Sequence, residues 1–251
     1  MNDGSVLSLN LSRNGKKVPA CLAFSFALDY PVIARDPGAF LHPNELSYFQ
    51  KLEFPLRRTS FLLGRLAAKK ALASYLEESD PARIEICVGT FNQPVVNYGA
   101  SDRPELTIAH CQDVAVAIAF QSGHPMGVDL EYIEAGKNQV LETQFTPSEL
   151  ERLKLMPEAE KDAYYFLWTV KEALSKTLKC GLTVPFSILE VERIVQHGLH
   201  AYTCLFKNFA QYQARSWIES QHVLSIVLPK NTQLMVNPFA AIQAGRLANA
   251  G

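Results

Sequence analysis

The segment "HPNELSYFQ…RRTSFLLGRLAAKKAL" in the first half of the chain returns in the second as "TPSELERLK…KDAYYFLWTVKEALSK". The spacing from the Pro-x-Glu-Leu element to the Phe-Leu pair is similar in both. Two copies of one unit predict a pseudo-duplicated α+β chain, with similar halves at 1–124 and 125–251 that meet near Gln121 to Gly127. Helices of similar amphipathicity also look alike by chance, so the repeat alone leaves other α+β arrangements open. At 251 residues, 48% of them apolar, the chain can bury one large core or two small ones.

The stretch from Glu158 to Lys179 has no internal Gly or Pro. It carries Ala163, Phe166, Val170, Ala173 and Leu174 at helical spacing and ends before Gly181, a suitable C-cap. Thr146, Pro147 and Glu149 supply a capping hydroxyl, a first-position proline and an early acid, which predicts a short helix there. Phe61 to Tyr75 also reads as a helix. Val18 to Leu28, Ile84 to Val88, Leu106 to Ile108, Val114 to Phe120 and Val128 to Leu130 are apolar enough for strands. Leu189 to Val195, Ala201 to Phe206, Tyr212 to Ile218 and Val223 to Leu228 predict a strand-rich end.

A formal net charge of -1 gives no global cationic field of the kind that non-specific nucleic-acid binding relies on. Anion recognition, if any, has to be local. Five widely spaced cysteines without a C-x-x-C pair argue against a disulfide framework or a structural zinc site and fit a cytoplasmic setting. No apolar run approaches the roughly 20 residues of a membrane span, and a soluble protein is expected.

Asp129 and Glu131 lie two apart in "MGVDLEYIE", a spacing that puts both carboxylates on one side of a strand. With one more acid they suit magnesium and a diphosphate, since hard divalent cations prefer carboxylate oxygens and leave positions for phosphates. A solvated strand edge accounts for the same pair. Trp168, Glu172 and Lys176 form a row at i, i+4, i+8, opposite the apolar stripe. A surface Glu-to-Lys pair accounts for the acid and base, while the large aromatic in a polar row suggests a cleft. His110 ends one apolar strand before a short turn, where an imidazole can donate to a phosphate or be merely structural. Arg58, Arg65 and Lys69 share a stripe if the first-half helix extends back to Arg58, giving either a phosphate-binding face or a solvated one.

Read together, these residues resemble the Sfp-like class of 4′-phosphopantetheinyl transferases. The motif G-[IV]-D-x-E stands here as Gly127-Val128-Asp129-Leu130-Glu131. The motif [FW]-x-x-K-E-[AS]-x-x-K stands as Trp168-Thr169-Val170-Lys171-Glu172-Ala173-Leu174-Ser175-Lys176. "CGLTVPFSILEV", "FLLGRLAAKKAL" and "IAHCQDVAVAIA" look like further family elements in the right order, so the likeness runs from about Arg57 to Val191. Two departures stand out: Ala109 where the family usually has Ser, and Asn92-Gln93-Pro94 where it favours Gly-x-Pro.

The resemblance implies two similar α+β halves with the active site at their junction. It implies transfer of 4′-phosphopantetheine from coenzyme A to a serine of an apo acyl or peptidyl carrier protein, releasing adenosine 3′,5′-bisphosphate. Asp129, Glu131 and Glu172 would surround magnesium, with Glu172 also a candidate base and Lys176 stabilising charge on the transferring phosphate. His110, Lys171, Arg58 and Arg65 would contact coenzyme A. A monomer is expected, because a duplicated chain can build its site between its own halves. Two rival readings are a non-catalytic module that binds coenzyme A or carrier protein, and a magnesium-dependent phosphohydrolase.

Overall fold

The computed structural model describes residues 6–99, 103–134, 138–157, 160–219, 221–234 and 236–239. The chain is a mixture of helix and strand that divides into two compact units, Met1–Pro125 with Asn231–Gly251, and Met126–Lys230.

The first unit contains β1 (Val6–Ser8), β2 (Leu11–Arg13), β3 (Lys16–Val18) and β4 (Ala20–Phe26), then α1 (Tyr30–Ile33), α2 (Pro43–Gln50) and α3 (Pro55–Leu76). It continues with β5 (Glu85–Val88), β6 (Pro94–Asn97), β7 (Glu105–Cys111) and β8 (Val114–Phe120). Its main sheet has the order β1-β4-β8-β7, and all seven residues of β8 are buried. Small side chains on facing surfaces, Ala67, Ala68 and Ala71 on α3 and Ala115, Ala117 and Ala119 on β8, let helix and sheet pack in one core. The helix is longer than its apolar stripe suggests: Pro55 opens it, and Glu77 ends it in a left-handed conformation at φ 54°.

The second unit contains β9 (Gly127–Tyr132), α4 (Asn138–Glu142), α5 (Pro147–Leu153), α6 (Glu160–Thr177), β10 (Val191–Gln196), β11 (Ala201–Phe206), β12 (Tyr212–Glu219) and β13 (His222–Pro229). They form a sheet of order β10-β11-β12-β13-β9. The apolar stripe expected on the long helix, from Ala163 to Leu174, is buried against Val191, Cys204, Ala214, Val223 and Val227 of that sheet. Residues 158 and 159 of the expected helix lie outside the described residues. A 3-10 turn at Phe186–Leu189 delays the strand expected from Leu189, which begins at Val191.

β14 (Thr232–Leu234) follows, paired with β2 of the first unit in a three-stranded sheet of order β14-β2-β3. Among the described residues, no helix is long and apolar enough to cross a membrane.

The same order of elements occurs in both units. A strand (β4 or β9) leads into helices, then a hairpin (β7-β8 or β12-β13) whose last strand pairs antiparallel with the first. The Pro-x-Glu-Leu repeat has a matching structural meaning. Glu45 closes a capping box at the start of α2 and Glu149 does so at the start of α5. Each acid also takes a buried lysine from the long helix, Lys69 at 2.7 Å and Lys171 at 2.8 Å.

Candidate functional site

In β9, side chains alternate between the two faces of the sheet, so Gly127, Asp129 and Glu131 share one. Their cross-strand partners Val227, Ser225 and Val223 identify it, since Val223 and Val227 belong to the core under α6. The acids therefore face the long helix. Gly127 permits the approach: a Cβ there would stand 2.1 Å from the Ala173 carbonyl oxygen and 2.5 Å from Thr177 Oγ1.

The two ends of the row on α6 each bond an acid of that strand. Lys176 Nζ donates to Asp129 Oδ1 at 2.7 Å, and Trp168 Nε1 donates to Glu131 Oε1 at 3.3 Å. Eight residues of helix thus run antiparallel to two of strand. The indole stacks on Phe186, centroids 4.9 Å apart, which orients its N–H. Asp129 is buried, with Oδ2 lacking a hydrogen-bond partner, whereas Lys176 keeps 28% of its side chain exposed. Glu131 and Glu172 are half-buried.

Burial pushes the Glu131 carboxyl up to about 7, and the neighbouring Asp129 charge adds to the rise. Burial does the same to Glu172, also to about 7, with Asp129 again contributing. Three carboxylates gathered together, two of them with raised affinity for a proton and the third with an orphaned buried oxygen, have the chemistry of a site for a hard cation. Among the described residues, no group of three His, Cys, Asp or Glu side chains stands ready to hold a metal ion. The donor set fits magnesium in kind, and Asp129 currently spends one oxygen on Lys176.

The raised values carry a consequence for stability. Between about 4.5 and about 7 the folded protein holds protons on Glu131 and Glu172 that the unfolded chain has released. Metal-free stability should therefore fall as pH rises through that window and level off above it. A Glu131→Gln/Glu172→Gln variant should lose this slope and be more stable than the parent at pH 8 by about 2 kcal/mol, a figure discounted for partial solvent exposure. Urea midpoints measured at pH 5 and pH 8 with chelator present check this; parallel slopes in parent and variant would refute it.

Lys171 corrects the sequence expectation. It is wholly buried and gives its protons to both oxygens of Glu149, at 2.8 and 3.1 Å, and to the Gln144 carbonyl at 3.3 Å. An ammonium placed there has no solvent-facing surface for a phosphate. Arg58 also differs: it donates to the Phe49 and Leu52 carbonyls at 3.1 and 2.8 Å and lies over the Phe49 ring, closing the end of α2. Arg65 pairs with Glu45 at 2.9 Å and, with Arg57, Tyr48 and Phe61, lines an open groove of about 620 Å³ in the first unit. Lys69 is buried on Glu45, so the expected cationic stripe is mostly committed. His110 is exposed near the end of β7. The structure thus brings together Asp129, Glu131, Trp168, Glu172 and Lys176, and leaves Lys171 behind them. Glu149 and Phe186, not singled out from sequence as site residues, emerge as supports; the Pro-x-Glu-Leu repeat was the available signal for Glu149.

Comparison with known proteins covers the segment that carries these residues. The profile of the 4′-phosphopantetheinyl transferase superfamily matches residues 125–227, nearly the whole second unit. The 4′-phosphopantetheinyl transferase HetI of Nostoc sp. is 27% identical over 152 residues, 59% of this chain and 63% of its own length. Enterobactin synthase component D of Escherichia coli O157:H7 is 34% identical over 125 residues, 48% of this chain and 54% of its own. The matches therefore span between a half and two thirds of these curated relatives. Among solved structures, a holo-(acyl-carrier-protein) synthase from Bacillus anthracis aligns with 41% of this chain and 93% of its own, with a TM-score of 0.38 and 21% identity. Both charged motifs lie inside the matched segment, so the second unit is similar to the 4′-phosphopantetheinyl transferase superfamily.

Proposed function

We propose that the protein transfers 4′-phosphopantetheine from coenzyme A to a serine of an apo acyl or peptidyl carrier protein, acting as a cytoplasmic monomer. The observation that carries this reading is the meeting of three carboxylates and a lysine on one face between β9 and α6. Phosphoryl-type transfer needs such positioning and charge neutralisation more than a nucleophilic protein residue.

Asp129, Glu131 and Glu172 would hold magnesium, which when bound neutralises a diphosphate and improves its leaving group. The serine Oγ attacks the phosphorus that carries the pantetheine arm. Its bond to the bridging oxygen breaks, and adenosine 3′,5′-bisphosphate leaves with the electron pair. The serine proton passes to the carboxylate of Glu172, half-buried beside Asp129 and Lys176. Lys176, partly exposed beside Asp129, offsets charge on the transferring phosphate and bridging oxygen. His110 and Arg65 are assigned to coenzyme A phosphates.

Incubation with coenzyme A, magnesium and a panel of apo carrier proteins, followed by intact mass spectrometry of the carriers, tests the proposal. The expected result is one phosphopantetheine-sized gain on a carrier, abolished by EDTA. Coenzyme A binding without any gain would favour a binding module of the same fold. Coenzyme A breakdown that needs no carrier would favour a phosphohydrolase.

A further inference from the structure

We infer that Lys171 and Glu149 form a positioning pair for the carboxylate site, acting through Phe186 and Trp168 on Glu131; as a statement about catalysis, this rests on the transferase reading above.

Lys171 directly precedes Glu172 in the sequence, yet its ammonium is wholly buried on Glu149. It lies 5.6 Å from the centroid of Phe145 and 5.5 Å from that of Phe186, the two rings that flank it. A cation attracts ring faces, more strongly where water is excluded. Phe186 stacks on Trp168 at an interplanar angle of 16°, and the indole N–H reaches Glu131. Glu149 is in turn tied to three segments: it accepts from Lys171, from the Val191 amide at 2.8 Å and from the Thr146 amide at 2.8 Å. One buried carboxylate therefore fixes the start of α5, the start of β10 and the middle of α6, and the chain of contacts ends on a carboxylate of the site.

The first unit supplies the comparison that separates positioning from simple fastening. There the pair Glu45–Lys69 repeats the arrangement, but Lys69 directs its other protons to the Pro81 and Ile84 carbonyls. The position matching Trp168 is Leu66, and those matching Glu172 and Lys176 are Lys70 and Ser74. The same ion pair thus fastens a short helix to a long one in both units, and in the second it also bears on an aromatic stack that holds an acid.

The test uses full-length protein carrying Trp217→Phe, which leaves Trp168 as the sole indole of the two in the sequence. On this background, Lys171→Met with Glu149→Gln removes both charges and leaves no unpaired ion buried. Lys69→Met with Glu45→Gln removes the matching pair in the first unit, where Arg65, 14% exposed, also loses its carboxylate partner. Both double variants should melt cooperatively. The second-unit variant should show increased acrylamide quenching of Trp168, and the first-unit variant should not. In the transfer assay the second-unit variant should lose about tenfold in kcat with KM for coenzyme A little changed, the pattern of a displaced catalytic group. If it does not fold, Lys171→Gln, which keeps a donor toward Glu149 without the charge, must raise quenching in the same sense. Unchanged Trp168 quenching in the folded second-unit variant, or in Lys171→Gln, overturns the inference. So does an equal rise in the first-unit variant. The fluorescence arm needs no substrate, so a protein with no transferase activity at all would sink the proposed function and leave the positioning claim to be judged by quenching.

Discussion

Replacing Gly127 by alanine should cost the protein about 3 kcal/mol or more of stability, at the upper end of what overpacking a core does. The reason is space. The new Cβ would meet the Ala173 carbonyl oxygen at 2.1 Å and the Thr177 backbone nitrogen at 2.8 Å, and neither can swing aside as a side-chain tip would. Relief requires β9 and α6 to separate, which pulls Asp129 from Lys176 and Glu131 from Trp168. Stability and site geometry should therefore fail together. Gly64 in α3 is the control, because an added Cβ there meets only Ile108 Cγ2, at an ordinary 3.6 Å. Gly64→Ala should be neutral or stabilising by up to about 1 kcal/mol through helix propensity. Urea denaturation decides both: a Gly127→Ala midpoint equal to the parent's would mean that the close approach of strand and helix is not required.

How much of this was legible in the sequence depends on the range of the interaction. The stripe from Ala163 to Leu174 and the row Trp168, Glu172, Lys176 follow from a period of 3.6 residues, and the shared face of Asp129 and Glu131 from a period of two. The resemblance assigns Lys171 to coenzyme A, although its neighbours at helical spacing, Leu167 and Leu174, are both wholly buried. Lysine is seldom buried unless paired, and its partner lies 22 residues away on another helix. Local pattern shows which face a residue occupies, but not whether a counter-ion waits there. The same limit hid β2, β3 and β14: three residues each are too few to display a period, and β14 finds β2 across more than two hundred residues of chain. Arg58 shows the reverse case, a cation read as a ligand for phosphate that instead satisfies two carbonyls at the end of the preceding helix.

Asp129→Asn should lower the rate of transfer to carrier protein by about a thousandfold, roughly 4 kcal/mol of transition-state stabilisation, while leaving the fold in place. The substitution preserves shape and removes the charge of the acid that acts on both of the other two. In the native site Oδ1 accepts from Lys176 and Oδ2 is buried without a partner, an arrangement that disfavours folding unless function demands it. Asparagine places one amide nitrogen where an oxygen was and relieves the repulsion that raises Glu131 and Glu172. Lys176 loses its counter-ion but reaches solvent, so the net change in stability should stay within about 1 kcal/mol. The metal-free variant should also titrate Glu131 and Glu172 lower than the parent does, and its stability should decline less between pH 5 and pH 8. Single-turnover transfer followed by carrier mass, beside calorimetric titration with magnesium in the absence of substrate, separates the roles. Loss of both transfer and magnesium affinity in a folded variant is the expected pair. Retained magnesium affinity with lost transfer would move Asp129 from the metal to the placement of Lys176, and a near-parent rate would remove it from the mechanism altogether.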